Sequence, residues 1–336
     1  MKSLITRSAS SIQSIAKAQN FSSVAKKMYS TGYSGISEEL EYEFRKKFDP
    51  IAEEFSSHRA LDHDLFKYLE EQSKEGFTPK QYEVYRDNFF RRTELTIPSI
   101  ARVIEKAALS GDSQAVVDAI KNLYDEGGYG DVKKMHSNLL ITSHNVHGMR
   151  VFGVDPIVPI SEAGKSPNLV PEVEEYRKAK QAAFDRSYPY IAGNTWTHEL
   201  AADGMLDNFR KAFFAPYKGK YTPEEYKKVI EFFTAHKDDT VVGGDIEAQH
   251  ERMARAAAER ACKESLVNVA EVREGGLNFL DKQAKLWDGK LREVEKAKSV
   301  GEVIKPEPDF KPNPEVNPDK DKSRKATSDR DLGGRN

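Results

Sequence analysis

The chain has 336 residues, 38% of them hydrophobic and 32% charged, with a formal net charge of −2. The first 37 residues hold five basic residues (Lys2, Arg7, Lys17, Lys26, Lys27) and no acid, which leaves the remainder at −7 and excludes nucleic-acid binding driven by bulk charge. A single cysteine, Cys262, excludes intramolecular disulfides and cysteine-rich zinc or iron–sulfur sites, and no apolar run of about 18 residues is present to span a membrane.

Residues 1–37 are basic, serine-rich and free of acid, and Leu4, Ile5, Ile12 and Ile15 fall on one helical face. That composition predicts a mitochondrial transit peptide. "KKMYSTGYS" (26–34) is similar to a matrix-processing site, with cleavage expected near Tyr29–Ser30. The alternative is a basic, disordered leader without a targeting role.

From residue 36 to about 150 the apolar residues recur every three or four positions, as in "ISEELEYEFRKKFDPIAEEF" and "QYEVYRDNFFRRTELTIPSIARVIEKAAL". This spacing predicts helices, with Pro98 marking a kink or a junction. "SGDSQAVVDAIKNLYDEGGYGDVKKMHSNLLITSHNV" predicts helix, glycine-rich turn, helix, with Asp131 close to the second start. "EGGYG" reads as a helix-terminating turn and not as a phosphate loop, because no strand precedes it and no lysine follows at the required spacing.

Five prolines between 156 and 189 predict a long connection with one short helix over about 171–186. Helical spacing resumes in "NTWTHELAADGMLDNFRKAFFAPY". Next, "TPEEYKKVIEFFTAHKDD" opens with a capping threonine, a first-turn proline and early glutamates. "DTVVGGDIEAQHERMA" (239–254) continues the helical pattern through two adjacent glycines, each costing about 1 kcal/mol relative to alanine inside a helix. "AEVREGGLNFLDKQAKLWDGKLREVEKA" extends helix to about 298. From 305 onward, five prolines and fifteen charged residues accompany one aromatic, Phe310, which predicts a disordered tail. The expected organisation is a leader (1–37), one all-α domain (38–300) and a disordered charged tail (301–336).

No Walker loop, dinucleotide fingerprint or G-x-S-x-G elbow is present. What remains is a set of helical carboxylates and histidines. Glu94 lies in "ELTIPSIA" and Glu126 ends "NLYDE" 32 residues later, a separation that suits two antiparallel helices. Facing helices of bundles build di-iron and di-manganese sites from inward Glu and His. At 100° per residue, His236, Asp239, Gly243, Glu247 and His250 share one face. His136, His144 and His147 read equally well as polar residues near a loop, and His198–Glu199 diverge, leaving Glu199 to point inward. Cys262, in "AAAERACKESL", reads as a packed thiol.

"FFRRTELTIPSIARVIEKAA", "NLYDEGGYGDVKKMHSNLL", "GGDIEAQHERMA" and "GGLNFLDKQAKLWDGKL" resemble the heme-oxygenase-like superfamily, and more closely its branch of di-iron oxidases and oxygenases, over about residues 85–292. The resemblance implies about seven core helices and one or two non-heme irons, or manganese, that activate O₂ on a small organic substrate. It implies the ligands Glu94, Glu126, Glu247 and His250, with His236 and Asp239 as completions. Tyr129 stands where the family often has a histidine and is expected to line the site as a catalytic hydrogen-bond donor; Gly243 replaces a second histidine. His136 matches a recurrent family histidine that need not be a ligand. Two alternatives stay open: a non-catalytic mitochondrial binding or assembly protein with a degenerate site, and a metal-free, thiaminase-like enzyme with Cys262 in its pocket. Homodimer formation is also left open by the sequence.

Overall fold

The computed structural model describes residues 38–236, 246–263 and 265–310, apart from the side chains of 38–40, Asp203, Glu247 and Leu266. Its helices follow from local signals. Thr78 and Thr222 each open a helix with a reciprocal capping box, through Gln81 and Glu225 respectively, and each is followed by proline in the first turn. In chain order the helices are α1 (Glu38–Ser56), α2 (Asp64–Glu75), α3 (Pro79–Thr93), α4 (Thr96–Ser110), α5 (Ser113–Glu126) and α6 (His136–His147). They continue as α7 (Pro171–Ala183), α8 (Tyr188–Phe209), α9 (Pro223–Val229), α10 (Glu231–Ala235), α11 (Ile246–Lys263) and α12 (Leu266–Ala297). This is the all-α architecture expected, with no named strand among the described residues. None of the described helices is long and apolar enough to cross a membrane.

Pro98 marks a junction rather than a mid-helix kink: α3 ends at Thr93, and the proline falls in the first turn of α4, where its missing N–H costs nothing. The prolines of 156–167 lie in the long connection before α7, as expected.

The core is built around α8 and α12, which run against each other and against α3, α7 and α11. At one end Trp196 of α8 stacks on Phe48 at 5.4 Å and meets Phe55 edge-on at 5.0 Å. At the other, Tyr85, Phe89, Phe209 and Phe213 form a second aromatic group. Residues 301–310, expected within the disordered tail, instead strap across the body. Ile304 donates its N–H to the Phe77 carbonyl at 2.9 Å, and the Glu307 N–H and carbonyl pair with Pro216 and Gly219. The polar composition hides this because many of the contacts are made by the backbone, joined by a Lys220–Glu307 ion pair and by Phe310 against Tyr226.

Lys290 of α12 lies inside the second aromatic group, 1% exposed, with its Nζ lacking a hydrogen-bond partner and lying 4.6 Å from the Phe209 ring centroid and 5.0 Å from those of Tyr85 and Trp287. Burial, reinforced by the nearby Arg92 charge, holds this amine well below the usual lysine range. Above pH ~10.5 the amine is neutral in both the folded and unfolded chain, and no penalty arises. As pH falls below that, the unfolded chain takes up a proton that the folded one resists, so stability declines. Lys290→Met therefore raises the melting temperature at pH 7 by roughly 5 °C, about 2 kcal/mol, and the gain shrinks toward pH ~10.5. Calorimetry from neutral to alkaline pH checks it, and equal melting temperatures throughout would contradict it.

Candidate metal centre

Glu126 is the last residue of α5, and the glycine-rich turn that follows decides what it meets. Gly128 has φ +67°, and a Cβ there would lie 2.4 Å from the Met135 backbone nitrogen, so only glycine lets the chain fold back this tightly. The turn brings His136, the first residue of α6, beside Glu126, with Nδ1 3.3 Å from the carboxylate Oε1. His136 Nδ1 is buried there without a hydrogen-bond partner. His236, immediately after α10, comes in from a third direction with Nε2 4.0 Å from the same Oε1. Its ring lies 4.3 Å from that of His136, and its Nδ1 donates to the Phe232 carbonyl at 2.6 Å, which leaves the Nε2 lone pair facing the carboxylate.

One atom from each of Glu126, His136 and His236 thus lies within 4.8 Å of the others. Donors bound at about 2.1 Å to one ion stand about 3–4 Å apart, so a small contraction would let all three ligate. A buried imidazole nitrogen facing a carboxylate without a hydrogen bond fits a shared cation, and the donor set suits iron or manganese. Burial alone would raise the Glu126 carboxyl, but the imidazoles of His136, His236 and His250 hold it at about 2. Burial, with His136 close by, lowers His236 to about 4. At neutral pH the carboxylate is therefore ionised and the His236 imidazole neutral, the forms that bind metal.

The cluster opens on a cavity of about 240 Å³ between α3, α6 and α8. Phe89, Leu140, Met205, Leu206 and Phe232 supply apolar wall, and Arg92, His198 and Glu199 contribute polar groups. Burial, together with the Glu126 charge, raises the Glu199 carboxyl, which accepts a hydrogen bond from Asn122 at 3.1 Å.

Of the residues named from sequence, Glu126 and His236 meet. Glu94 does not join them: although it borders the cavity, its Oε2 is held by Arg91 at 2.6 Å and Arg177 at 2.8 Å. It follows the end of α3, where the chain turns toward α7 and its arginine. His250 lies on α11 with Nε2 bonded to Asp125 at 3.2 Å, next to the cluster rather than in it; burial opposes its protonated form, but Asp125, Glu199 and Glu126 raise its pKa overall. Tyr129 is half exposed at φ +57°, packs edge-on against Tyr124 and does not line the cavity. The turn that serves His136 carries Tyr129 outward. Asp239, Gly243 and the Glu247 side chain lie outside the described residues.

Cys262 is buried away from the cavity and burial pushes its thiol up to about 12, so the thiaminase-like alternative has no nucleophile there. His144 and His147 are buried aromatic-core residues bonded to the Tyr85 and Tyr221 hydroxyls. The site residue that sequence reasoning passed over is His136. Its signal was the pairing of a helix-ending acid with a helix-starting histidine across a turn rich in glycine.

No protein-family model matches the chain, and neither does any curated protein. Among solved structures, it is similar to a CADD-like protein of unknown function from Nostoc punctiforme, seen at 1.35 Å and 2.00 Å resolution, with TM-scores of 0.54 and 0.53 and 15% identity. Each match covers 76% of this chain and all of the Nostoc chain. A domain of unknown function with a heme oxygenase-like fold from Shewanella denitrificans is similar at a TM-score of 0.47 and 16% identity, over 79% of this chain and 97% of that one. At such identities the likeness to the Nostoc protein is one of fold, and this chain shares its helical fold.

Proposed function

We propose that this protein is a non-heme iron oxidoreductase of the heme-oxygenase-like superfamily, which activates O₂ on a small organic substrate in the cavity beside Glu126, His136 and His236. The observation that carries this reading is the convergence of two imidazoles and one carboxylate, from three different elements, on the wall of that cavity. Two histidines and one carboxylate are the ligand set of many iron(II) oxygenases, and manganese accepts the same donors. A bound ferrous ion would supply a redox-active centre for dioxygen that closed-shell side chains lack, with the organic substrate or an external reductant supplying the remaining electrons. The protein's part is orientation and exclusion. The Phe232 carbonyl fixes the His236 ring, burial and the Glu126 charge raise the Glu199 carboxyl at the cavity edge, and apolar side chains line the rest of the wall. A purely structural role would leave these groups apart or paired with arginines, which describes Glu94 but not the three converging residues.

Protein reconstituted anaerobically with ferrous iron should retain one ion per chain through gel filtration and consume oxygen on exposure to air. Wild-type protein that emerges without iron would sink the reading. We read residues 1–37 as a matrix presequence. Protein isolated from mitochondria should then begin near Ser30, and an intact N-terminus at Met1 would remove this part.

A further inference from the structure

Arg92, on α3, borders the same cavity and is 3% exposed. Its Nε donates to Gln283 at 3.1 Å, and its guanidinium lies 5.5 Å and 5.8 Å from the ring centroids of Tyr176 and Trp287. Its Nη2 is buried with no hydrogen-bond partner, and among the described residues no carboxylate pairs with it. The neighbouring acids are otherwise engaged: Glu94 by Arg91 and Arg177, Glu126 by imidazoles, Glu199 by Asn122. The amines near Arg92, those of Lys180 and Lys290, are buried too and offer it no negative charge. A buried guanidinium without a counter-charge is costly, and its planar fork matches a carboxylate.

We propose that Arg92 anchors the carboxylate of a small, otherwise apolar substrate whose body lies along Phe89, Leu140, Met205 and Leu206 toward Glu126, His136 and His236. This rests on reading the cavity as the substrate site. Its volume of about 240 Å³ falls below the ~300–1,000 Å³ of pockets that hold drug-sized ligands, so the acid is a short one. The rings of Tyr176 and Trp287 pack against the guanidinium as cation–π partners and supply no counter-charge.

The test uses full-length, metal-free protein in chelator and two probes of one shape, hexanoate and hexanamide, titrated calorimetrically. Wild-type protein should bind hexanoate about tenfold or more tighter than hexanamide. Arg92→Gln should erase that preference while leaving hexanamide binding unchanged, and Arg92→Lys, which keeps the charge but not the fork, should fall between. Equal affinities for the two probes in wild-type protein would overturn the proposal, as would unchanged hexanoate binding in Arg92→Gln or no hexanoate binding in the millimolar range. If Arg92→Gln fails to fold, the wild-type preference and the Arg92→Lys variant still decide. Arg92-dependent hexanoate binding by protein that takes up no iron would keep the anion site and sink the iron reading alone; iron uptake with no hexanoate preference would do the reverse.

Discussion

His136→Ala should remove bound ferrous iron as thoroughly as Glu126→Gln, with affinity falling beyond the ~10–100-fold typical of losing an outer hydrogen-bond partner of a ligand. Each change deletes one of the three donors that converge among the described residues, and neither neighbouring described candidate can take its place. Glu94 is fixed between Arg91 and Arg177, and His250 is bonded to Asp125. Glu94→Gln should accordingly leave iron uptake within about twofold of wild type, since an outer-shell change seldom costs less than ~10-fold when it touches a ligand and this one touches none. Its cost should appear in stability, about 1 kcal/mol, because two partly buried arginines exchange a shared carboxylate for a neutral amide. Iron content after gel filtration, with melting temperatures in parallel, separates these outcomes. Loss of iron in Glu94→Gln with retention in His136→Ala would restore the ligand set inferred from the family resemblance and remove the one drawn from geometry.

That contrast shows what the sequence made legible. Threonine caps, first-turn prolines and the glycine turn are local signals, and Thr78, Thr222 and Gly128 do in the fold what their neighbours in sequence predict. Glu126 could be nominated because it ends a helix at a spacing from Glu94 that suits antiparallel helices, and His236 because it shares a helical arc with other candidate ligands. The fate of Glu94 could not, since it is set by Arg177, 83 residues away and brought in by the packing of α7. His136 was hidden for the opposite reason. It is close to Glu126 in sequence, but a run of positive φ from Gly128 to Gly130, absent from any helical wheel, turns the two toward each other. Tyr129 occupies the exposed outer side of the same reversal, so the side chain expected from sequence to line the site faces away from the cavity.

Glycine pairs pose the remaining question, and the pair at 275–276 in α12 gives a large expected effect. By helix propensity alone, Gly275→Ala should stabilise by about 1 kcal/mol. The packing of α8 on α12 reverses the sign. A Cβ on Gly275 would stand 2.0 Å from the Tyr190 carbonyl oxygen, and reciprocally a Cβ on Gly193 would stand 2.0 Å from that of Val272. Both obstacles are backbone atoms, so no rotamer change relieves them and the two helices must separate. Separation would also loosen the bonds that Asn194 and Thr197 make to the Gly275 and Gly276 carbonyls. Gly275→Ala should therefore destabilise by about 2–3 kcal/mol, the scale of overpacking in a dense core, and lower the melting temperature by roughly 5–10 °C. Because α8 also carries His198 and Glu199 into the cavity, the same variant should weaken hexanoate binding. Gly204 is the control: it sits on the same helix with open space around its Cα, so Gly204→Ala should stabilise by the ordinary ~1 kcal/mol. If the two alanine variants shift the melting temperature in the same direction, the close approach of α8 and α12 does not explain why α12 keeps glycine at 275.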